Sequence, residues 1–150
     1  MRFLGHPIHP MLVHFPVAFW TVAAVTYIAD AAGMGEAAAA IAKLSNAAGL
    51  IMAIFAMAAG LLELRAIDSQ SEAMRVATWH MMIMATAWVC FLLALVLPIS
   101  AGAAALDHLT AQLAGVASAG VGFLLMSVGG WLGGRLIYEF GIGVRSQAKS

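Results

Sequence analysis

The sequence predicts an all-α integral membrane protein, in which a single domain over residues 1–150 forms an antiparallel bundle of four membrane-spanning helices. Hydrophobic residues make up 63% of the chain and charged residues only 9%, whereas a soluble domain usually has about 25% charged residues. Mean hydropathy is high, at +0.97. The chain lacks the polar surface that a soluble fold requires, so we expect its main partner to be the lipid bilayer.

Four apolar stretches reach the length of about 20 residues that a helix needs to cross the hydrocarbon core. They cover residues 11–32, 41–64, 76–100 and 109–138. Short breaks separate them, at residues 33–36, at residues 68–72, and at a third position marked by Pro98, Gly102 and Asp107. Because connections this short join adjacent helices, we expect an up-down-up-down arrangement.

Lysine and arginine residues are distributed unevenly between the two predicted sides of the membrane. The chain has seven of them. The side of the N-terminus, the second connection and the C-terminus carries Arg2, Arg65, Arg75, Arg135, Arg145 and Lys149, and the other side carries Lys43. Since cytoplasmic loops are enriched in these residues, both termini are predicted to be cytoplasmic.

Composition and motifs argue against several classes of function. The net charge is formally zero and no basic tract occurs, which argues against nucleic-acid binding. The single cysteine, Cys90, cannot form an intrachain disulfide. The glycines of the fourth span lie inside an apolar run and do not follow a strand, so they are not a nucleotide-binding loop. No hydrolytic or nucleotide-dependent activity is indicated, and a redox role is left open.

Histidine and proline residues are concentrated at the start of the first span. The segment G-H-P-I-H-P-M-L-V-H-F-P contains His6, His9 and His14. Titratable, metal-binding side chains are costly at the edge of the hydrocarbon region, so they indicate a site. Pro10 suits the first position of a helix, in which case Pro16 would bend that helix. Alternatively, the helix begins at Pro16 and the histidines before it cap the bundle.

The predicted topology brings a polar side chain from each span to one depth near the cytoplasmic face. His14 and His80 lie about one helical turn inside the first and third spans. Glu63 ends the second span, and Arg135 ends the fourth. The two histidines played no part in assigning the topology, so their matched depth is separate support for a functional site at this face.

Small residues recur at a spacing of four in the fourth span. Gly129 and Gly133 form one row, and Gly130 and Gly134 form another. Such rows let helix backbones approach closely in lipid, where hydrophobicity cannot drive association. They indicate packing within the bundle, the face of a homo-oligomer, or space for a flat cofactor.

The favoured function is that of a b-type cytochrome-like protein that transfers electrons to or from a redox protein partner. His14 and His80 would be the axial ligands of one haem b, because imidazole suits haem iron and facing helices of a bundle supply ligands from both sides. Gly130 would leave room for the porphyrin. Arg135 or Arg65 would pair with its propionates.

Three alternative functions are also considered. A non-haem site built from imidazoles and a carboxylate suits zinc, copper or iron, and its candidate ligands are His6, His9, His14, His80 and Glu63. A cofactor-free structural or assembly subunit of a larger membrane complex would use the histidines only as caps. A transporter is disfavoured, because one polar cluster provides no path through the outer half of the membrane.

Motifs spread along the whole chain carry a resemblance to a known family. They are the histidine–proline opening, G-L-L-E-L-R-A-I after the second span, a lone histidine that opens the third span, and G-G-W-L-G-G-R-L-I-Y-E-F-G-I-G-V at the end. With these motifs the chain resembles a bacterial family of predicted four-helix membrane proteins of unknown function. Glu63 stands where that family often has Asp, and Met84 stands where it often has Asn.

The resemblance implies a four-helix fold in the bacterial inner (cytoplasmic) membrane. Related domains occur fused to Rieske iron–sulfur or c-type cytochrome domains, so the resemblance also implies electron transfer and a haem inside the bundle. Fold and neighbourhood do not establish chemistry by themselves. Because Met84 stands where the family often has Asn, we expect no role in this chain that needs the Asn side-chain amide.

We predict that a reporter fused after Ser150 lies in the cytoplasm. The C-terminus lies on the side of the membrane with the excess of Arg and Lys, and segments rich in these residues stay in the cytoplasm. The measurement compares the activity of a cytoplasm-specific reporter with that of a periplasm-specific one. A fusion in the connection at Gly33–Gly35 serves as the control and should report the opposite side. A periplasmic Ser150 fusion would refute the orientation.

Overall fold

The protein is almost entirely helical. The computed structural model describes residues 2–3, 6–100 and 105–143, with side chains for residues 8–97 and 109–143. Two short strands, β1 (Arg2–Phe3) and β2 (His6–Pro7), pair antiparallel. The helices are α1 (Ile8–Leu12), α2 (His14–Ala31), α3 (Glu36–Leu64), α4 (Glu72–Ser100) and α5 (Ala105–Tyr138). The predicted helical class is confirmed, with one small strand pair added to it.

Four helical segments in the described part of the chain are long and apolar enough to cross a membrane. They are Ile8–Ala31, Glu36–Leu64, Glu72–Leu97 and Leu109–Tyr138. The second and third begin earlier than residues 41 and 76, where the sequence placed them. Residues 36–40 are mainly alanine and extend α3, and the Ser71 hydroxyl caps α4 by accepting a hydrogen bond from the Met74 N–H at 3.1 Å. The four predicted spans are confirmed.

The first span is one helical run, Ile8–Ala31, in which a single residue, Val13, separates α1 from α2. Pro10 lies in the first turn of α1, and Pro16 lies in the first turn of α2, which begins at His14. N–H groups in the first turn of a helical run have no partner within it, so Pro10 is tolerated there. Val13 has helical φ and ψ angles of −63° and −23°, its N–H donates to the His9 carbonyl, and its own carbonyl accepts from the Val17 N–H. The helix therefore continues from α1 into α2, and Pro16 lies inside it, as in the first of the two expected arrangements.

The helices form two hairpins, in which α2 packs mainly on α3, and α4 packs mainly on α5. Trp20 contacts Gly49, and the later residue Tyr27 contacts the earlier residue Asn46. As the residue number increases along α2, the number of the contacting residue in α3 decreases, so these two helices run antiparallel. We call the end of the bundle where α3 ends and α4 begins the basal end.

The two helices of the second hairpin also run antiparallel. His80 of α4 contacts Gly133, and Phe91 contacts Gly122 of α5. Between the hairpins, the Asn46 side-chain amide donates to the Phe91 carbonyl at 2.8 Å. The contacts within each hairpin therefore show that α2 and α3, and likewise α4 and α5, run antiparallel.

The core consists of two large aromatic rings surrounded by small residues. Trp20 and Phe91 stack with their ring centroids 4.6 Å apart and their planes 6° from parallel. Gly49 lies against the indole so closely that a Cβ there would be 2.5 Å from Trp20 Cδ1. Buried alanines fill the space around the rings: Ala23, Ala42, Ala53, Ala87, Ala94 and Ala119. Small residues let the helix backbones approach closely enough to enclose the rings.

Only one of the two glycine rows in α5 packs against another helix. Gly129 contacts Met84 of α4, and a Cβ at Gly133 would lie 3.3 Å from Cε1 of His80. A Cβ at Gly130 would meet nothing within 4 Å, and one at Gly134 would meet only Tyr138 of its own helix. Close packing within the chain therefore depends on the row of Gly129 and Gly133.

We predict that Gly49→Ala destabilises the bundle, because its methyl group would press on Trp20, which is fixed by its stack on Phe91. Overpacking of this kind typically costs about 1–3 kcal/mol. Gly120→Ala is the matched control, since that position faces open space and alanine is the better helix former. Thermal unfolding in detergent, followed by circular dichroism, measures both. Equal midpoints for the two variants would contradict the prediction.

Candidate functional site

A cavity of about 380 Å³ lies at the basal end, bounded by α1, α2, α3, α4 and α5. Its walls are mostly apolar, and Trp20 lies among them. Three of the residues that line it carry an imidazole or a carboxyl group, namely His9, Glu63 and His80. An apolar cavity that holds a few polar groups is the usual form of a small-molecule or cofactor site.

The first histidine of the cavity is His9, in the first turn of α1. Its Nδ1 lies 2.7 Å from the Ala56 carbonyl oxygen of α3. A carbonyl can only accept a hydrogen bond, so Nδ1 carries the proton, and Nε2 keeps a free lone pair. The His9 main-chain N–H donates to Glu63 Oε1 at 3.4 Å. Gly60 makes room for the imidazole, because a Cβ there would lie 3.1 Å from its Cε1 and Nδ1.

The second histidine, His80, is held in the same way from the other hairpin. Its Nδ1 lies 2.8 Å from the Gly129 carbonyl oxygen of α5. The same tautomer follows, with the proton on Nδ1 and the lone pair on Nε2. Gly133 lies beside the ring, much as Gly60 lies beside His9. Each imidazole therefore has a glycine next to it and a main-chain carbonyl on another helix as its partner.

The two imidazoles are near neighbours. The ring centroids of His9 and His80 are 6.2 Å apart, and the ring planes are almost perpendicular, at 86°. Histidines that bind metals usually donate their other N–H to a carbonyl or carboxylate, which fixes the ring and makes the ligating nitrogen more basic. Both rings have this arrangement.

The histidine pair in the cavity differs from the pair that the sequence suggested. His14 is exposed at the start of α2, and it is not among the residues that line the cavity. The buried face of α2 passes through Pro16, Trp20 and Tyr27. Residues that are seven positions apart lie on nearly the same face of a helix, and His9 lies seven positions before Pro16. The spacing of Trp20 and Tyr27 was a signal in the sequence that would have selected His9.

The other predicted site residues have different surroundings. Glu63 lines the cavity beside the main chain of His9, and Gly130 lines it at a point where a Cβ would meet open space. Arg65 is exposed and, like Arg135, does not line the cavity. The side chain of His6 lies outside the described residues.

Arg135 instead forms an ion pair at the surface. Its Nε and Nη2 lie 2.8 Å and 2.7 Å from Glu139 Oε2. Its guanidinium is also 5.4 Å from the centre of the Trp131 ring. The hydrogen bond from Arg135 lowers the pKa of the Glu139 carboxyl below its ordinary value. Within the chain, this arginine is therefore paired with Glu139 away from the cavity.

The predicted five-residue metal set is not assembled among the described side chains. No group of three or more His, Cys, Asp or Glu residues in that part of the chain is arranged to hold a metal ion. Met84, where the resembling family often has Asn, packs against Gly129 and lines the cavity with a thioether. What the described residues bring together is a pair of imidazoles in an apolar cavity.

Four apolar helices of membrane-spanning length around one basal cavity define a polytopic helical membrane protein. Residues 5–146 match the model of the family described as "Predicted membrane protein (DUF2231)", and the chain belongs to that family. No curated protein and no solved structure matches it. The family's description gives a fold class and no chemistry, so function has to be argued from the cavity.

Proposed function

We propose that the protein is a b-type cytochrome-like electron carrier of the membrane, with His9 and His80 as the axial ligands of one haem. The observation that carries this proposal is the pair of imidazoles in the cavity, each with its Nδ1 hydrogen-bonded to a main-chain carbonyl of another helix. Bonds from a metal to imidazole nitrogen are about 2 Å long, so two imidazoles that bind one ion would have ring centroids no more than about 6 Å apart. The centroids of His9 and His80 are 6.2 Å apart.

The donor set fits haem better than a non-haem ion. Porphyrin supplies four ligands to the iron, so two imidazoles complete the coordination. A structural zinc site takes four ligands from the protein, and a catalytic one takes three. His9 and His80 are enough to complete the coordination of a haem iron, but they are too few for either kind of zinc site. This supports haem over the zinc, copper or iron site that the sequence left open.

The surroundings of the two rings also fit a flat group. Gly60 and Gly133 have no side chain beside the imidazoles, and Gly130 faces open space on the cavity wall. A side chain at Gly60 or Gly133 would press on an imidazole, and one at Gly130 would extend into open space on the cavity wall. The remaining wall is largely apolar, as expected around a buried macrocycle.

Haem, when bound, supplies one-electron redox chemistry. The carbonyls of Ala56 and Gly129 fix the planes of the imidazoles and increase the basicity of Nε2 through the Nδ1 protons. The Glu63 side chain accepts a hydrogen bond from the His9 main-chain N–H and would help to hold this ligand in place. Electrons would pass to a redox protein partner at the basal end.

The test is the visible spectrum of protein expressed with excess haem and purified in detergent. We expect a Soret band that shifts on reduction, with a resolved α band. His9→Ala and His80→Ala should each remove most of this absorbance, because each deletes one of two ligands. His14→Ala is the matched control: it deletes an exposed histidine five positions from His9 and should leave the spectrum unchanged.

Three results would overturn the proposal. If His14→Ala removes the spectrum and His9→Ala does not, the ligand pair is the one first suggested by the sequence. If the protein is colourless and contains stoichiometric zinc or copper, the site binds a non-haem metal. If it contains neither haem nor metal, the histidines only hold the bundle together, and the protein is a structural subunit.

A further inference from the structure

The histidine cavity reaches the outer surface of the bundle between α2 and α5, which pack against each other. Gly130 of α5 lines the cavity and is also exposed on the surface. Val17 of α2 lines the cavity as well, and 42% of its surface is exposed. Residues that belong both to a cavity wall and to the outer surface mark an opening. We call the gap beside Val17 and Gly130 the lateral mouth.

The lateral mouth is open because α5 carries no side chains there. A Cβ at Gly130 would meet nothing within 4 Å, and one at Gly134, a turn further along α5, would meet only Tyr138 of its own helix. Both glycines line the cavity, and so does Val13, a turn before Val17. The residues at this side of the cavity therefore leave space between the helices, and none of these four carries a polar side chain.

The depth of the lateral mouth places it in the hydrocarbon region. Val17 lies nine residues after the start of the span Ile8–Ala31, and Gly130 lies eight residues before the end of the span Leu109–Tyr138. At about 1.5 Å per residue, they are about 14 Å and about 12 Å from those ends. The 24-residue first span is about 36 Å long, and the hydrocarbon core is about 30 Å thick. The mouth therefore opens on lipid.

The exposed surface of both helices at this depth is apolar, as contact with lipid requires. Val25 of α2 and Leu124 of α5 are 61% and 66% exposed. The hydroxyl groups of Thr21 and Ser127 each donate to the main-chain carbonyl four residues earlier in their own helix, at 2.7 Å and 2.9 Å. Hydroxyl groups bonded in this way are satisfied within the helix and do not need water.

We propose that the histidine cavity takes up a flat apolar molecule from the bilayer through the lateral mouth. An apolar ring that has partitioned into lipid reaches this opening without crossing the protein's polar surface, and the cavity wall beyond the opening is mostly apolar too. The inference rests on the proposed function only for the identity of the molecule, which is haem. The route itself depends on the mouth between α2 and α5.

Trp20 provides a test that does not depend on haem. Its indole lines the cavity and is only 1% exposed. The chain has four tryptophans, and the other three, Trp79, Trp88 and Trp131, do not line the cavity. Their replacement by Phe leaves Trp20 as the only source of tryptophan fluorescence, and circular dichroism checks that this protein keeps its helicity. In vesicles, the lipid-soluble heavy-atom quencher bromobenzene should quench this fluorescence.

Changes at Val17 should alter the quenching of Trp20 in opposite directions. Val17→Phe narrows the mouth and should remove most of the quenching, whereas Val17→Ala widens the mouth and should increase it. Val25→Phe is the matched control, because it makes the same change at an exposed position of the same helix, outside the cavity. Equal effects of the two phenylalanines would overturn the proposal. So would an unquenched Trp20, the result expected if a second copy of the chain covers the glycines.

Haem uptake separates the route from the identity of the ligand. With haem dissolved in the vesicle bilayer, Val17→Phe should slow the growth of the Soret band, and Val17→Ala should accelerate it. A band that grows at one rate in all these proteins would overturn the lateral route and leave the haem site standing. Quenching that depends on Val17, in a protein that never binds haem, would support the lateral mouth and overturn the proposed function.

Discussion

Hydrogen bonds from side chains to the main-chain carbonyls of neighbouring helices are the interaction on which the rest of this structure depends. Apolar side chains gain nothing by leaving lipid for protein, so close packing and polar contacts have to hold the helices together. A helical carbonyl has a second lone pair beyond its own ladder, and a side chain from another helix can use it. His9 donates in this way to Ala56, His80 to Gly129, Asn46 to Phe91, and Trp88 to Leu50.

The same bonds connect the packing of the bundle to its proposed chemistry. Each imidazole joins two helices through Nδ1, and that bond leaves Nε2 as the only ring nitrogen with a lone pair. Glycines beside the rings serve both purposes, because they let the helices approach and keep space open. In this arrangement, the residues that stabilise the fold are also the residues that would orient the proposed ligand nitrogens.

The sequence predicts the class of fold and the four spans because length and hydropathy determine both. It does not determine which face of each helix turns inward, because these helices are apolar on all sides and show little amphipathic pattern. Gly129 and Gly130 differ by one position, yet only Gly129 meets α4. Likewise, His9 and His14 lie five positions apart, yet only His9 lines the cavity. Only the seven-residue spacing of Trp20 and Tyr27 pointed to the correct face.

The division of the bundle into two hairpins has a consequence for its biogenesis. A helical hairpin is a natural unit of insertion, and residues 8–64 leave the ribosome before residues 72–138 do. His9 belongs to the first unit and His80 to the second, so neither half contains the imidazole pair. The pair comes into being when the halves dock, and a ligand bound by both histidines would fasten the late half to the early one. Loading of the site would then mark the completed assembly of the protein, because a ligand that binds only the docked state stabilises it.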